Sequence, residues 1–424
     1  MKRAGAEEAN DTVPMKFALL SHTVPPSWGG QSMMLFQLLR GIDPGQYCLI
    51  TAQQLGTGFF KENFSHRLPV NYHHLPDDSQ LRRGYRFGLS RVRETVNFPV
   101  RAVSRARRIA EILRRENCRA IVGCTGDLFD LPAAYLASRI VGVPFYAYYF
   151  DYYSYQHLDP LARFFAQRVE PFVLRGAAGV IAPNEILQDD LKRRYGIAST
   201  LVRNPCDLSL YETAESPLAA DAPAGEGDEV KIVYTGAVYD AHYDAFRNLI
   251  AAIESLGRPD VKLHLYSASP VDWESVGIRG PVVHHGHQHL SAMPAIQRSA
   301  DVLFLPLAFD SPYPELVKTS ATSKLSEYLA SGRPTLVHAP EDCFVSWYFR
   351  RHDCGVVVDR QNTAELAQAI ERLATDFSLR RRLGEQAWRQ ARADFNVPKA
   401  QAALAGLLGV KLLQSGAESV GVGR

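Results

Sequence analysis

The chain has 424 residues, 46% hydrophobic and 22% charged, with a formal net charge of +2. That length exceeds one ordinary core, so two domains are expected, and the near-neutral balance excludes global steering toward nucleic acid. Six cysteines at 48, 118, 124, 206, 343 and 354 show no C-x-x-C spacing, and no window reaches eighteen uninterrupted apolar residues; this excludes a disulfide framework, a linear zinc motif and a spanning helix, and predicts a cytoplasmic protein with reduced thiols.

Residues 1–14 read as a flexible polar tail without the apolar core of a signal peptide. From 15 to 211 strand and helix patterns alternate. "KFALLSH" is a strand, "TVPPSWGG" a loop, "QSMMLFQLLRGI" a helix and "YCLITA" a strand; an Arg-rich helical region, "CRAIVGCT", "LPAAYLASRIVG" and "PFYAYYFD" follow. A helix around 160–175, "AAGVIAPN", "EILQDDLKRRYG" and "STLVRNP" complete the unit. The stretch 212–229 is Ala, Pro, Gly and acid without periodicity, and reads as a linker. A second alternating unit occupies 230–385, and 386–424 reads as a C-terminal helix and tail able to pack back on the first domain. The pattern predicts two Rossmann-like, doubly wound α/β domains of parallel sheet, with a ligand cleft between them at the carboxyl ends of the strands.

Several stretches carry chemistry. "PPSWGGQS" puts Gly29 and Gly30 between the first strand and first helix, where backbone and helix N-terminus suit a phosphate or carboxylate; a plain tight turn is the alternative. "VYTGAVYD" puts Gly236 after the first strand of the second domain, with uncharged Ala237 beside it, so an anion there would rest on backbone N–H groups or on Arg247 further along. "HHGHQH" (284–289) brings His285, His287 and His289 to one side of an extended segment, but Gly286 interrupts and no acid lies nearby, so a polar loop is favoured over a metal site. "YYFDYYSYQHLD" (148–159) offers either a stacking floor or core aromatics, with Asp151 at the strand end. In "TSATSKLSEYLASGRPTLVH" Thr322 or Ser323 can cap a helix that places Lys324 and Glu327 on one face; the pair is either a surface ion pair or a site in which Lys324 meets a diphosphate and Glu327 two ribose hydroxyls. Residues 81–116 hold eleven Arg against three Glu, a solvated helical face that leaves room for peripheral contact with anionic lipid.

"PPSWGG", "GVIAPNEILQDDL", "RNPCD", "VYTGA", "VVHHG", "ADVLFLPL" and "SKLSEYLASGRPTLV" together, in this order, resemble the retaining glycosyltransferases of the GT-B fold, specifically family four. The resemblance implies that two Rossmann-like domains clamp a nucleotide-sugar, the second holding the nucleotide and the first the acceptor. It implies that Gly29, Gly30 and Gly236 lie near the donor phosphates, that Thr322, Ser323 and Lys324 are placed for the diphosphate, that Glu327 binds the ribose and that the loop around His287 meets the base. No metal or other cofactor is implied, since the nucleotide-sugar is a co-substrate.

Four positions depart from the family's pattern. The first Glu of the E-x7-E motif is Thr319, with Glu315 out of register by four. The Arg and Lys usual after the second-domain strand are Ala237 and, approximately, His242, and a His-Asp pair is Phe150-Asp151. The chain sits closest to the subset lacking the first Glu. The resulting expectation is a metal-independent hexosyl transfer with retention, to a glycan, lipid-linked or other hydroxyl acceptor in surface or exported polysaccharide assembly, on the inner face of a membrane. Asp151 and Lys324 would be catalytic. The departures also motivate a degenerate sugar-nucleotide-binding scaffold, which would bind nucleotide without turnover. A nucleotide-sugar epimerase is disfavoured because its further acidic and histidine residues have no counterpart here.

Overall fold

"FALL" (Phe17–Leu20) is apolar at every position and buried at every position, the signature of a parallel strand covered on both faces. The computed structural model describes residues 15–25, 29–52, 67–76, 90–212 and 229–413. The expected tail at 1–14, the middle of the first glycine loop (26–28), residues 81–89 of the Arg-rich stretch, linker residues 213–228 and the chain end from 414 lie outside the described residues.

The first domain runs β1 (Phe17–Leu20), α1 (Gly30–Leu39), β2 (Tyr47–Thr51), β3 (Tyr72–His74), α2 (Ser90–Arg115), β4 (Ala120–Cys124), α3 (Asp130–Val141), β5 (Phe145–Tyr148), α4 (Pro160–Arg175), β6 (Gly179–Ala182), α5 (Glu185–Tyr195) and β7 (Thr200–Leu201). The second begins with β8 (Val230–Thr235), α6 (Tyr243–Leu256), β9 (Val261–Tyr266), β10 (Val282–His285), α7 (Met293–Arg298) and β11 (Val302–Pro306). It continues with α8 (Pro314–Thr319), α9 (Ser323–Ser331), β12 (Thr335–His338), α10 (Phe344–His352), β13 (Val356–Val358), α11 (Thr363–Thr375), α12 (Phe377–Asp394) and α13 (Val397–Leu408).

Seven strands order as β3-β2-β1-β4-β5-β6-β7 and six as β10-β9-β8-β11-β12-β13. Every pairing between these strands is parallel. Each sheet winds outward from its first strand, so the order reverses beside β1 and beside β8, where a doubly wound sheet opens a crevice for ligand. These are the two Rossmann-like, doubly wound domains that the strand-helix alternation predicts, as the resemblance to the GT-B fold also implies.

The aromatic run resolves as core. Tyr148, Tyr149, Tyr152 and Tyr153 are fully buried, the Tyr149 hydroxyl donates to Glu170 Oε1 at 2.8 Å and the Tyr153 hydroxyl to the Leu128 carbonyl at 2.6 Å. The chain crosses back after α12. Ala400, Leu404 and Leu408 of α13 pack with Phe17, Leu19 and Leu38 of the first domain, and Gln401 donates to the Gln37 carbonyl at 2.8 Å.

Candidate active site

A cavity of about 490 Å3 lies between the two domains, within the range of small-molecule sites. Gly29, Gly30, Met33 and Met34 line one side; Thr235, Gly236, Ala237, the loop Tyr266–Ser269, His287 and Gln288, and Ser323, Lys324 and Glu327 line the other. Its walls follow from the fold, because the loops after β1, β8, β9 and β10 leave the carboxyl ends of neighbouring strands.

Two helix N-termini meet here. Gly29 precedes α1 with φ 124°, a backbone region that L side chains avoid, and no side chain caps the helix. Thr322 precedes α9, and its side chain makes no capping hydrogen bond. The sequence expectation of a Thr322 or Ser323 cap is therefore corrected: no hydroxyl caps the helix, and its first two residues, Ser323 and Lys324, line the cavity.

Lys324 runs alongside Gly236, where a β-carbon would stand 2.8 Å from its Cε and 3.0 Å from its Nζ, and its ammonium lies 5.2 Å from the Tyr234 ring centre. Among the described residues no carboxylate lies within ion-pair distance of Lys324, Glu327 included. Both side chains keep partial exposure to the cleft, yet protein crowds them from both domains. Burial pulls the Lys324 pKa below the ordinary lysine value, with Glu327 opposing. Burial pushes Glu327 up, opposed by a hydrogen bond from Gln297 and by Lys324. The arrangement holds a cation and helix N-termini at one end and a partly desolvated carboxylate one helical turn away, a set of groups chemically suited to an anion joined to a vicinal diol.

Next to Lys324, His242 is buried, its Nδ1 has no partner, and burial with Lys324 nearby takes its pKa down to about 3. It is neutral at working pH and adds no cationic charge beside the cavity. Behind the lining residue Tyr266 lies a stack: the Tyr266 and His285 rings are 4.0 Å apart at 5°, and His264 Nδ1 is 3.1 Å from His285 Nε2.

The family model described as "Glycosyltransferase Family 4" matches residues 64–210, and the model "Glycosyl transferases group 1" matches residues 229–376, one model for each domain. The chain is 25% identical over 317 residues to alpha-D-kanosaminyltransferase of Streptomyces kanamyceticus, covering 70% of this chain and 78% of that protein. Its fold is that of Anabaena Alr3699/HepE, solved with UDP and glucose, at TM-score 0.64 and 17% identity over 93% of this chain and 99% of that one. Sucrose-phosphate synthase of Thermosynechococcus elongatus superposes at TM-score 0.65 and 17% identity, over 93% and 98%. The chain is a glycosyltransferase of the GT-B fold.

Of the residues singled out in the sequence of this glycosyltransferase, Gly29, Gly30, Gly236, His287, Ser323, Lys324 and Glu327 are brought to one cavity. Thr322 and Asp151 are not part of its lining. Asp151 is exposed at the end of β5; its N–H and that of Phe150 share the Thr125 hydroxyl at 3.2 and 2.9 Å, and crowding across the cleft raises its carboxyl pKa. Thr319 is buried away from the cavity, its hydroxyl donating to the Glu315 carbonyl at 2.8 Å. Arg247 lies on an exposed helix face and donates to the Val276 carbonyl. The histidines of "HHGHQH" part company: His285 joins the stack, His287 lines the cavity and His289 pairs with Ser291 at 2.8 Å.

One set of side chains elsewhere has metal-like composition, Cys48, His73 and Glu116. Lys16 lies 2.6 Å from Glu116 Oε2, Arg115 lies 2.9 Å from His73 Nδ1, and His73 Nε2 lies 2.9 Å from Glu116 Oε1, so the His and Glu are engaged in an ion-pair network. Sequence reasoning missed Tyr266–Ser269, Met33, Met34, Gln288 and, most consequentially, Gln297. The only trace of Gln297 in the sequence is an amide inside the apolar face of "AMPAIQ".

Proposed function

We propose that this glycosyltransferase takes its sugar from a nucleoside-diphosphate donor and transfers it, with retention and without a metal ion, to a hydroxyl of a glycan or lipid-linked acceptor. The observation that carries the reading is Lys324: a crowded cleft ammonium without a carboxylate partner among the described residues, set beside two uncapped helix N-termini in a cavity that both domains line. A diphosphate is the ligand such a site is short of. The donor class is further supported by relatives solved with UDP and by the transferase named above.

In the transfer, Glu327 accepts the ribose hydroxyls, the bond between the anomeric carbon and the diphosphate oxygen breaks, and its electron pair stays with the diphosphate. Lys324 and the backbone N–H groups stabilise that charge. The acceptor oxygen forms the new bond on the same face and its proton passes to the departing diphosphate. Asp151, at the acceptor side, orients the acceptor. The exposed Val96, Val100 and Val103 on α2, interleaved with Arg107, and the exposed Phe164 and Phe172 on α4 support peripheral contact with an anionic membrane. The Arg-rich stretch is less solvated than its sequence implies, since Arg105 is buried 2.5 Å from both Asp127 and Asp130.

The test is a thermal-shift panel of UDP, GDP, ADP and their common sugars on wild type and Lys324→Ala. One nucleotide series should stabilise the wild type and lose that effect in the variant, and the product formed from that donor should keep the donor's anomeric configuration by NMR. No stabilisation by any nucleotide overturns the reading; stabilisation without turnover on any hydroxyl acceptor turns it into a binding protein.

A further inference from the structure

Gln297 on α7 is fully buried, and its amide makes three hydrogen bonds that use both N–H donors and the carbonyl oxygen. Its Oε1 accepts from the Tyr211 hydroxyl at 2.6 Å, and its Nε2 donates to Glu327 Oε2 and to Thr235 Oγ1, each at 3.1 Å. The orientation of the amide follows from chemistry. An ionised carboxylate only accepts, so the NH2 must face Glu327; the carbonyl then faces Tyr211, whose hydroxyl must donate. Tyr211 is itself 2% exposed and its carbonyl accepts from Arg298 at 3.2 Å. It stands where the chain leaves the first domain, ahead of β8 in the sequence.

We propose that Gln297 is the positioning residue for Glu327, and that Tyr211, at the root of the interdomain connection, fixes Gln297. The inference rests on the reading of Glu327 as the ribose carboxylate. One carboxylate oxygen is pinned from below, which aims the other at the cavity and holds the group at one rotamer. A buried hydrogen bond to a charged group accounts for about tenfold or more in an equilibrium constant, and here that factor belongs to recognition of the ribose hydroxyls alone. The connection between domains thereby reaches the donor site through two side chains.

The experiment uses the full chain and calorimetric titration of UDP, ADP and GDP, each paired with its 2′,3′-dideoxy form, on wild type, Gln297→Leu and Tyr211→Phe. Wild type should prefer the ribo form of its nucleotide by about tenfold or more. That ratio should collapse toward one in Gln297→Leu and part-way in Tyr211→Phe, with dideoxy affinity unchanged in both; a merely structural role would weaken both forms alike. A wild type that does not distinguish ribo from dideoxy, or binds neither, overturns the Glu327 reading beneath the inference. A wild-type preference kept in the variants overturns the inference alone. If Gln297→Leu fails to fold, Tyr211→Phe, which removes one oxygen atom, decides by the same ratio.

Discussion

At the scale of single residues the site is defined by two charges whose titration runs opposite ways. On the proposed function, nucleotide binding needs Lys324 protonated and Glu327 ionised. The Lys324 pKa lies below 10.5, so its charge is lost, and affinity falls, before pH reaches the ordinary lysine value. The Glu327 pKa lies above 4.5, so its acceptor function fades as pH falls while ordinary carboxylates are still ionised. UDP affinity measured against pH should therefore give a bell narrower than 4.5 to 10.5, and Lys324→Arg should push the alkaline limb outward because guanidinium stays charged. Gly236 and Gly29 separate steric from conformational cost. Both hold φ near 120°, but a β-carbon at Gly236 meets Lys324 at 2.8 Å whereas one at Gly29 meets nothing within 4 Å. Each alanine variant should lose about 1–3 kcal/mol of stability to backbone strain. Only Gly236→Ala should also displace the ammonium, so that nucleotide titration of the pair shows the larger affinity loss there.

At the scale of elements, the break between α8 and α9 decides what a family motif means here. Thr319 ends α8 with its side chain buried, and its carbonyl accepts at 2.8 Å from Asn184, the residue that caps α5, while Asn204 donates to the Ala321 carbonyl at 2.7 Å. The segment is a seam between domains, and position 319 points into it. Thr319→Glu should therefore restore no donor contact and instead bury an unpaired carboxylate, lowering stability by a few kcal/mol; a thermal melt showing wild-type stability together with tighter nucleotide binding would contradict this. The same contrast explains what the sequence could reveal. Glycine loops and the Lys324–Glu327 spacing are local, so periodicity and turn chemistry expose them. The strand-helix alternation is equally local, which is why both sheets were legible. Short β3, three residues of which none is buried, and α8, six residues opened by a proline, carry too little pattern to stand out. Gln297, Tyr211 and the Tyr266–Ser269 loop acquire meaning only when α7, β9 and the interdomain connection are brought together, a relation between distant segments that no spacing records.

At the scale of the whole molecule, the chain passes between domains twice. It leaves the first after Tyr211 and returns after α12, where the Cys206 N–H donates to the Phe395 carbonyl at 2.8 Å before α13 settles on α1. The first domain is thus completed by the end of the chain, while the cavity lining from Thr235 to Glu327 belongs to the second. Leu404, 1% exposed on α13, tests that division. Its replacement by alanine removes a buried side chain from a packed core at a cost of about 2–5 kcal/mol. That loss should fall on the first domain: hydrogen exchange in β1, β2 and α1 should speed up, while UDP should still protect β8, β9 and α9 as it does in wild type. Equal loss of protection across both sheets would mean that the two domains unfold as one cooperative unit, with the returning helix holding both.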